Sequence, residues 1–284
     1  MTTAVIPKFV SHLPAILDSM SHEDFIEAGK YRFHYSRWGE KGSKLVLLHS
    51  MGMDEHSMDL LAEKLKPHNR ILALTLLGHG DSSVPKEKVS LKEHAELIRE
   101  CIRKLDFRGC VLIGHSVGGR LSMILAAEHP TEFKGVILVD IVPPDLPAQP
   151  WSQPMPKPFG SEGEVLEWLR KRYPKFRDEY IENRLKYGFV KHSDGSLKAK
   201  PMGSATMSSR DTDLWPYVEK IRIPTLLIAG SESNIVTPEK IERMRKLIPE
   251  FELVTLKDAS HMVPQDQPVE FERTVRGFVK QVEK

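Results

Sequence analysis

The sequence predicts an α/β fold: a mostly parallel, doubly wound sheet with helices on both faces and one long, mainly helical insertion. Three observations carry this prediction. First, short unbroken apolar runs recur along the chain: "KLVLLH" (44–49), "RILALTL" (70–76), "CVLIGH" (110–115), "GVILVD" (135–140), "PTLLIAG" (224–230) and "FELVTL" (251–256). Continuous hydrophobicity is the pattern of a parallel strand buried on both faces. Second, helical patterns fall between the runs, near 55–66, 90–105, 117–129, 238–248 and 267–282. Strand–helix alternation of this kind winds right-handed crossovers onto one sheet. Third, the alternation breaks once, for more than eighty residues between 140 and 224.

Each remaining element follows from local pattern. "YRFHYSRW" (31–38) alternates, as an outer strand does. The interruption opens with the proline-rich "IVPPDLPAQPWSQPMPKP" and continues with helical patterns at 161–172 and 175–187. "KHSDGSLKAK" then reads as a turn, and a last helix is expected near 211–220. The division expected is an N-terminal arm (1–23), a core of 24–141 and 211–284, and a cap of 142–210.

Bulk composition excludes several classes of function. The chain has 284 residues, ample for a packed core without disulfides or a structural metal. Lys+Arg number 41 against 39 Asp+Glu, so neither a nucleic-acid footprint nor a polybasic membrane surface is expected. Cys101 and Cys110 are the two cysteines, which rules out a disulfide framework, and no Cys/His cluster has zinc spacing. Two free thiols suit a reducing, cytoplasmic setting. The first twenty residues are too often interrupted by Pro7, Lys8, His12 and Pro14 for a signal peptide or a membrane span.

The chemistry centres on "LIGHSVGGRL" (112–121). Ser116 stands where a buried strand ends and a helix begins, between Gly114 and Gly118. Such a turn is tight, and side chains two positions before and after the serine would collide with the neighbouring strand and helix. It lifts the hydroxyl above the sheet and sets it at a helix N-terminus, where N–H groups favour developing negative charge. His261, just after the last strand, is the candidate base, and serine-first, histidine-last is the chain order this arrangement requires. His49, His79 and His115 are weaker candidates.

These motifs resemble those of the α/β-hydrolase superfamily from about residue 24 onward. "LLHSMGM" (47–53) is similar to its oxyanion segment, "LLGHGDSS" (76–83) to its G-x-G-x-S loop and "KDASHMVPQDQPVEF" (257–271) to its histidine loop. The resemblance implies that the backbone N–H groups of Met51 and Val117 bind an oxyanion. Ser50 departs from the family's usual glycine, and this matters if the backbone there needs a positive φ. A second departure concerns the acid. The family's usual carboxylate would fall in "GSESNIVTPE", where Ser233 stands instead. Asp140, at the end of the neighbouring strand, is the substitute. "VDIVPPD" (139–145) resembles a group of small esterases with "D-I-x-P" there, while haloalkane dehalogenases, which share the acid position, are excluded by a serine nucleophile. Glu232, Asp258 and Asp145 remain alternative acids.

The function implied is a serine hydrolase cleaving a small or medium carboxylic ester through an acyl-enzyme, with Ser116, His261 and Asp140 as triad and with no cofactor and no metal. A small-molecule ester is the partner expected, with no nucleic acid and no membrane, and the oligomeric state stays open. C–C bond hydrolysis and acyl transfer to an alcohol use the same triad and stay open. So does a non-catalytic binding protein, which Ser50 and Ser233 would suit. His115, Met53, Trp151 and Trp168 are candidate pocket residues, with Met51, His56 and Met58 available to floor the pocket.

Overall fold

A computed structural model describes residues 22–146, 155–203, 207–208 and 212–284. The expected arm, apart from its last two residues, therefore lies outside the described residues, as does Trp151. The centre is one eight-stranded sheet. Its strands, in chain order, are β1 (His22–Ala28), β2 (Tyr31–Trp38), β3 (Ser43–Leu48), β4 (Asn69–Leu74), β5 (Cys110–His115), β6 (Phe133–Val139), β7 (Thr225–Gly230) and β8 (Phe251–Leu256). They lie in the order β1-β2-β4-β3-β5-β6-β7-β8. β2 runs antiparallel to both β1 and β4, and all other pairs are parallel.

The apolar runs are continuous because both faces are covered. In β3, Leu45 and Leu47 enter the core on one face, with Ile113, Ile137 and Val139. Val46 and Leu48 enter the core on the other, with Leu112, Val136 and Leu138. The period-two alternation of side chains sends successive residues to opposite cores, so no position is left for a polar residue. Cys101 and Cys110 are free and buried, with burial pushing the Cys101 thiol up to about 12.

The helices are α1 (Asp59–Leu65), α2 (Leu91–Lys104), α3 (Val117–Glu128), α4 (Glu162–Arg172), α5 (Asp178–Gly188), α6 (Trp215–Val218), α7 (Pro238–Leu247), α8 (Val263–Asp266) and α9 (Pro268–Val282). α2 and α4 start at Ser-x-x-Glu sequences, in which Ser90 and Ser161 accept the N–H of Glu93 and Glu164. Two expectations are corrected. The helix expected at 211–220 is the single turn α6, since Pro216 and the breaks around it leave little to propagate. The pattern at 55–66 divides into a 3-10 turn, Glu55–Met58, followed by α1.

β1 was not expected from the sequence. Its residues "HEDFIEA" are mostly exposed and charged, as suits an edge strand protected from further pairing. It begins at His22, so the sheet takes in the last two residues assigned to the arm.

The excursion after β6 contains α4, α5 and a hairpin of Phe189–Lys191 with Leu197–Ala199. It has its own small core of Val165, Leu169, Ile181, Phe189 and Leu197. It is also stitched to the loop after β4: Gly80 N–H donates to Pro201 O (2.9 Å) and Gly203 N–H to Gly78 O (3.0 Å). Among the described residues, no helix is long and apolar enough to cross a membrane.

Candidate active site

Three parallel strands, β5, β6 and β7, end side by side, and the site is assembled from the residues that follow them and β8. Ser116 follows β5 and takes φ 53°, ψ −111° as the N-cap of α3. A left-handed angle is costly for a non-glycine residue, and its presence here marks a functional turn. The surrounding glycines make the turn possible. A Cβ at Gly114 would lie 2.4 Å from Ser122 Oγ and 2.5 Å from Gly118 O. One at Gly118 would lie 2.3 Å from Leu48 O. The Ser116 N–H donates to Val139 O (3.1 Å), which ties the serine to the end of β6.

Asp140 is the next residue on that strand. It is wholly buried and also left-handed, with φ 47°. Its N–H donates to Ile228 O (2.8 Å) on β7, and Gly230 N–H donates to its Oδ1 (2.9 Å). Oδ2 accepts from Ser233 Oγ (2.5 Å) and from His261 Nδ1 (2.7 Å). Burial alone would raise its pKa. The hydrogen bonds from His261, Ser233 and Gly230 overcome that and hold the carboxyl below its ordinary value. The serine found where the family's usual acid would fall therefore acts as a donor to the acid that is present. Gly230 leaves room for this: a Cβ there would meet Ser260 O at 2.3 Å, so the histidine loop lies directly across the end of β7.

His261 is held from several sides. Its Nδ1–H points at Asp140, and its backbone carbonyl accepts from His115 Nε2 (2.7 Å). Asp266 Oδ2 accepts from both the N–H (2.8 Å) and the Oγ (2.5 Å) of Ser260, which fixes the loop one residue upstream. Burial pushes His115 down to about 3, so it is a neutral donor.

The oxyanion segment is a tight turn. Ser50 O accepts from His49 Nδ1 (2.8 Å) and from the Met53 N–H (3.2 Å). His49 Nε2 accepts in turn from the Leu76 N–H (2.9 Å), which fixes its tautomer, and burial pushes its pKa down to about 3. The positive φ of this turn falls on Gly52, at 81°, and Ser50 is not among the residues with a positive φ. Serine at 50 therefore brings no backbone strain. With the Ser50 carbonyl held on one side, the Met51 N–H of the same peptide unit points to the other. Among the described residues no acceptor bonds that N–H.

The other sequence candidates lie elsewhere. Glu232 is half-exposed and pairs with Lys175 (2.5 Å), Asp145 pairs with Lys240 (2.9 Å), and the Asp258 N–H bonds Ser231 Oγ (3.0 Å). None of the three carboxylates is bonded to His261. His79 is buried, with Nδ1 donating to Leu77 O (3.0 Å), and burial pushes it down to about 4. Of the pocket candidates, His115 supports the histidine loop and Met53 is buried within the oxyanion turn. Trp168 packs against Phe159 and Phe189 inside the excursion's own core.

Sequence reasoning missed a buried polar network beside the oxyanion turn. Arg184 of α5 donates from Nη1 to Asp54 Oδ2 (2.5 Å) and from Nη2 to Gly52 O (2.7 Å). Asn183 donates to Asp59 Oδ2 (3.1 Å), which also accepts from His56 Nδ1 (3.0 Å). His34 Nδ1 and His56 Nε2 both face Glu55 Oε1. His34, Glu55 and His56 bring their ligand atoms within 4.8 Å of one another, which is close enough for a metal. His34 Nδ1 is hydrogen-bonded to Glu55, His56 Nε2 is ion-paired with the same carboxylate at 3.2 Å, and His56 Nδ1 bonds Asp59, so the three side chains already pair with one another and with Asp59. Of these residues only His56 is among the sequence candidates, as a possible pocket floor; the others lie on β2, the loop up to Glu55, α1 and α5, and no local motif links them.

Comparison with known proteins agrees with this fold. A model of the "Alpha/beta hydrolase family" matches residues 45–274. The 2-(acetamidomethylene)succinate hydrolase of Mesorhizobium japonicum is 26% identical over 250 residues, covering 84% of this chain and 90% of that protein. Lipase 1 of Psychrobacter immobilis is 25% identical over 240 residues, covering 78% and 72%. A crystal structure of an E-2-(acetamidomethylene)succinate hydrolase superposes with a TM-score of 0.80 at 22% identity, covering 92% of this chain and all of that one. The left-handed Ser116 turn, the sheet order and the family match lead to one conclusion: this chain belongs to the α/β-hydrolase family and shares its fold.

Proposed function

We propose that the protein is a serine hydrolase that cleaves a small or medium carboxylic ester through an acyl-enzyme. The observation that carries this reading is the 2.7 Å bond from His261 Nδ1 to Asp140, one strand away from the strained Ser116 turn. In this mechanism His261 takes the Ser116 proton as Oγ attacks the ester carbonyl. Asp140 keeps the histidine in the tautomer with Nδ1–H and stabilises the imidazolium that forms. The N–H groups of Met51 and Val117 receive the oxyanion. His261 then protonates the departing alcohol, and water, deprotonated by the same histidine, releases the acid.

Residues 142–210 act as the cap over this edge of the sheet, on the core 24–141 and 211–284. A second reading has its own support: the name of the Mesorhizobium relative places an acetamido compound among the family's substrates, and the same triad would cleave such an amide. The test is labelling with a fluorophosphonate followed by mass spectrometry, together with burst release from p-nitrophenyl acetate. Ser116 should carry the label, and Ser116→Ala should lower kcat by about 10⁶. Folded protein that takes no label, or takes it at another serine, would remove the triad assignment.

A further inference from the structure

We propose that Arg184, on α5 of the excursion, is a positioning residue that sets and polarises the oxyanion donor through two peptide units. The proposal rests on the serine-hydrolase reading above for its catalytic meaning. The connection runs through atoms already described. Arg184 Nη2 donates to Gly52 O (2.7 Å). That carbonyl belongs to the same peptide unit as the Met53 N–H, which donates to Ser50 O (3.2 Å). The Ser50 carbonyl in turn shares its peptide unit with the Met51 N–H, the amide proposed to meet the oxyanion. A guanidinium charge thus stands at the head of two peptide dipoles aligned toward the reacting oxygen. Chains of hydrogen bonds polarise each member in the same sense, most strongly where water is excluded.

Two further observations support this. Arg184 is only 5% exposed, so its charge is poorly screened, and Asp54 fixes its orientation through the other terminal nitrogen at 2.5 Å. The turn it holds contains Gly52 at φ 81°, a residue with more backbone freedom than any other, which needs an external tether to stay in one conformation. Arg184 comes from the excursion and the turn from the sheet core, so seating the excursion and forming the oxyanion site become one event.

The experiment compares three variants with the full-length wild type. Arg184→Met removes the tether, Arg184→Lys returns a charge without the fork, and Asn183→Leu breaks the neighbouring bond to Asp59, which does not touch the oxyanion turn. With p-nitrophenyl acetate, Arg184→Met should lose about 10²–10³ in kcat, the loss typical of one oxyanion donor, with KM changed no more than about threefold. Arg184→Lys should recover part of this. Asn183→Leu should lower Tm and leave kcat near wild type. In protein labelled with ¹⁵N-methionine, the Met51 and Met53 amide protons should move upfield in Arg184→Met. Should the single variant fail to fold, Asp54→Asn with Arg184→Met leaves no unpaired charge and should show the same fall. A folded variant with wild-type kcat, or an equal fall in Asn183→Leu, overturns the proposal. Unmoved Met51 and Met53 resonances overturn it even if the wild type hydrolyses no ester. Moved resonances in a wild type that takes no fluorophosphonate leave the tether standing and remove the hydrolase reading instead.

Discussion

In the proposed triad, Asp140 and Ser233 together would do the work of a single carboxylate. The carboxylate sits on β6 and the hydroxyl beyond β7, and their 2.5 Å bond joins them. Asp140→Asn should leave the far-ultraviolet circular dichroism unchanged and lower kcat by about 10⁴, because an amide offers His261 the wrong tautomer. Placing aspartate at Ser233 in that background should restore part of the loss, since that position already reaches the same carboxylate oxygen. Ser233→Ala alone should cost about tenfold in kcat, the worth of one hydrogen bond to a charged group. Glu232→Gln should be nearly silent, as Glu232 faces Lys175. Steady-state kinetics on the four variants decide among these. At this scale the sequence offered Ser116, His261 and Asp140 as candidates, and the structure places Ser116 and Asp140 just after β5 and β6 and His261 in the loop after β8. The sequence was silent about Arg184 and Asp54, whose partners lie 130 residues away. No periodicity encodes a contact of that kind.

At the scale of elements, the close approach of α3 to β3 and β5 depends on missing side chains. Gly118→Ala would press a methyl group to 2.3 Å from the Leu48 carbonyl, which is backbone and cannot yield. It should destabilise the protein by about 1–3 kcal/mol or more and lower activity through the displaced nucleophile, as read by urea unfolding and by p-nitrophenyl acetate turnover. Buried strands and long amphipathic helices were legible to within a residue or two, because a two-faced core imposes unbroken hydrophobicity. The wholly buried β5 matches its run to the residue, and so does β8, although as an edge strand it buries only Leu256. β1 was not legible, since an exposed edge strand answers to solubility and carries charge in place of an apolar run. The excursion's helices were found, but their inward-facing Asn183 and Arg184 were not, because a polar residue buried by a partner element looks like one facing water.

At the scale of the whole molecule, four of the six buried histidines among the described residues set the response to acid, while His34 and His56, raised by nearby carboxylates, stay protonated in both states below about pH 6. His49, His94 and His115 are pushed down to about 3 and His79 to about 4, each chiefly by burial. In the unfolded chain these rings take protons near 6.5. Below that pH the unfolded state binds protons that the native state refuses, so stability falls as pH drops from about 6.5 toward 4. Asp59, raised to about 6 by burial, works in the opposite direction with a single proton. The net uptake on unfolding near pH 5 should be roughly three protons, read from the slope of urea-derived stability against pH. A flat profile between pH 7 and 5 would show that these rings are solvated.

The bond from the Ser116 N–H to Val139 O has a consequence for synthesis on the ribosome. Ser116 and Asp140, the proposed nucleophile and acid, follow the two strands of one βαβ unit, β5–α3–β6, and are 24 residues apart. Both can be in place while the chain is still being made. The histidine cannot, because it follows β8, the outermost strand of the sheet and the last to emerge. If the proposed triad holds, the nascent chain carries Ser116 without its base until β8 and the histidine loop dock. Ribosome-stalled chains should become reactive toward a fluorophosphonate only after residues through α9 have cleared the exit tunnel.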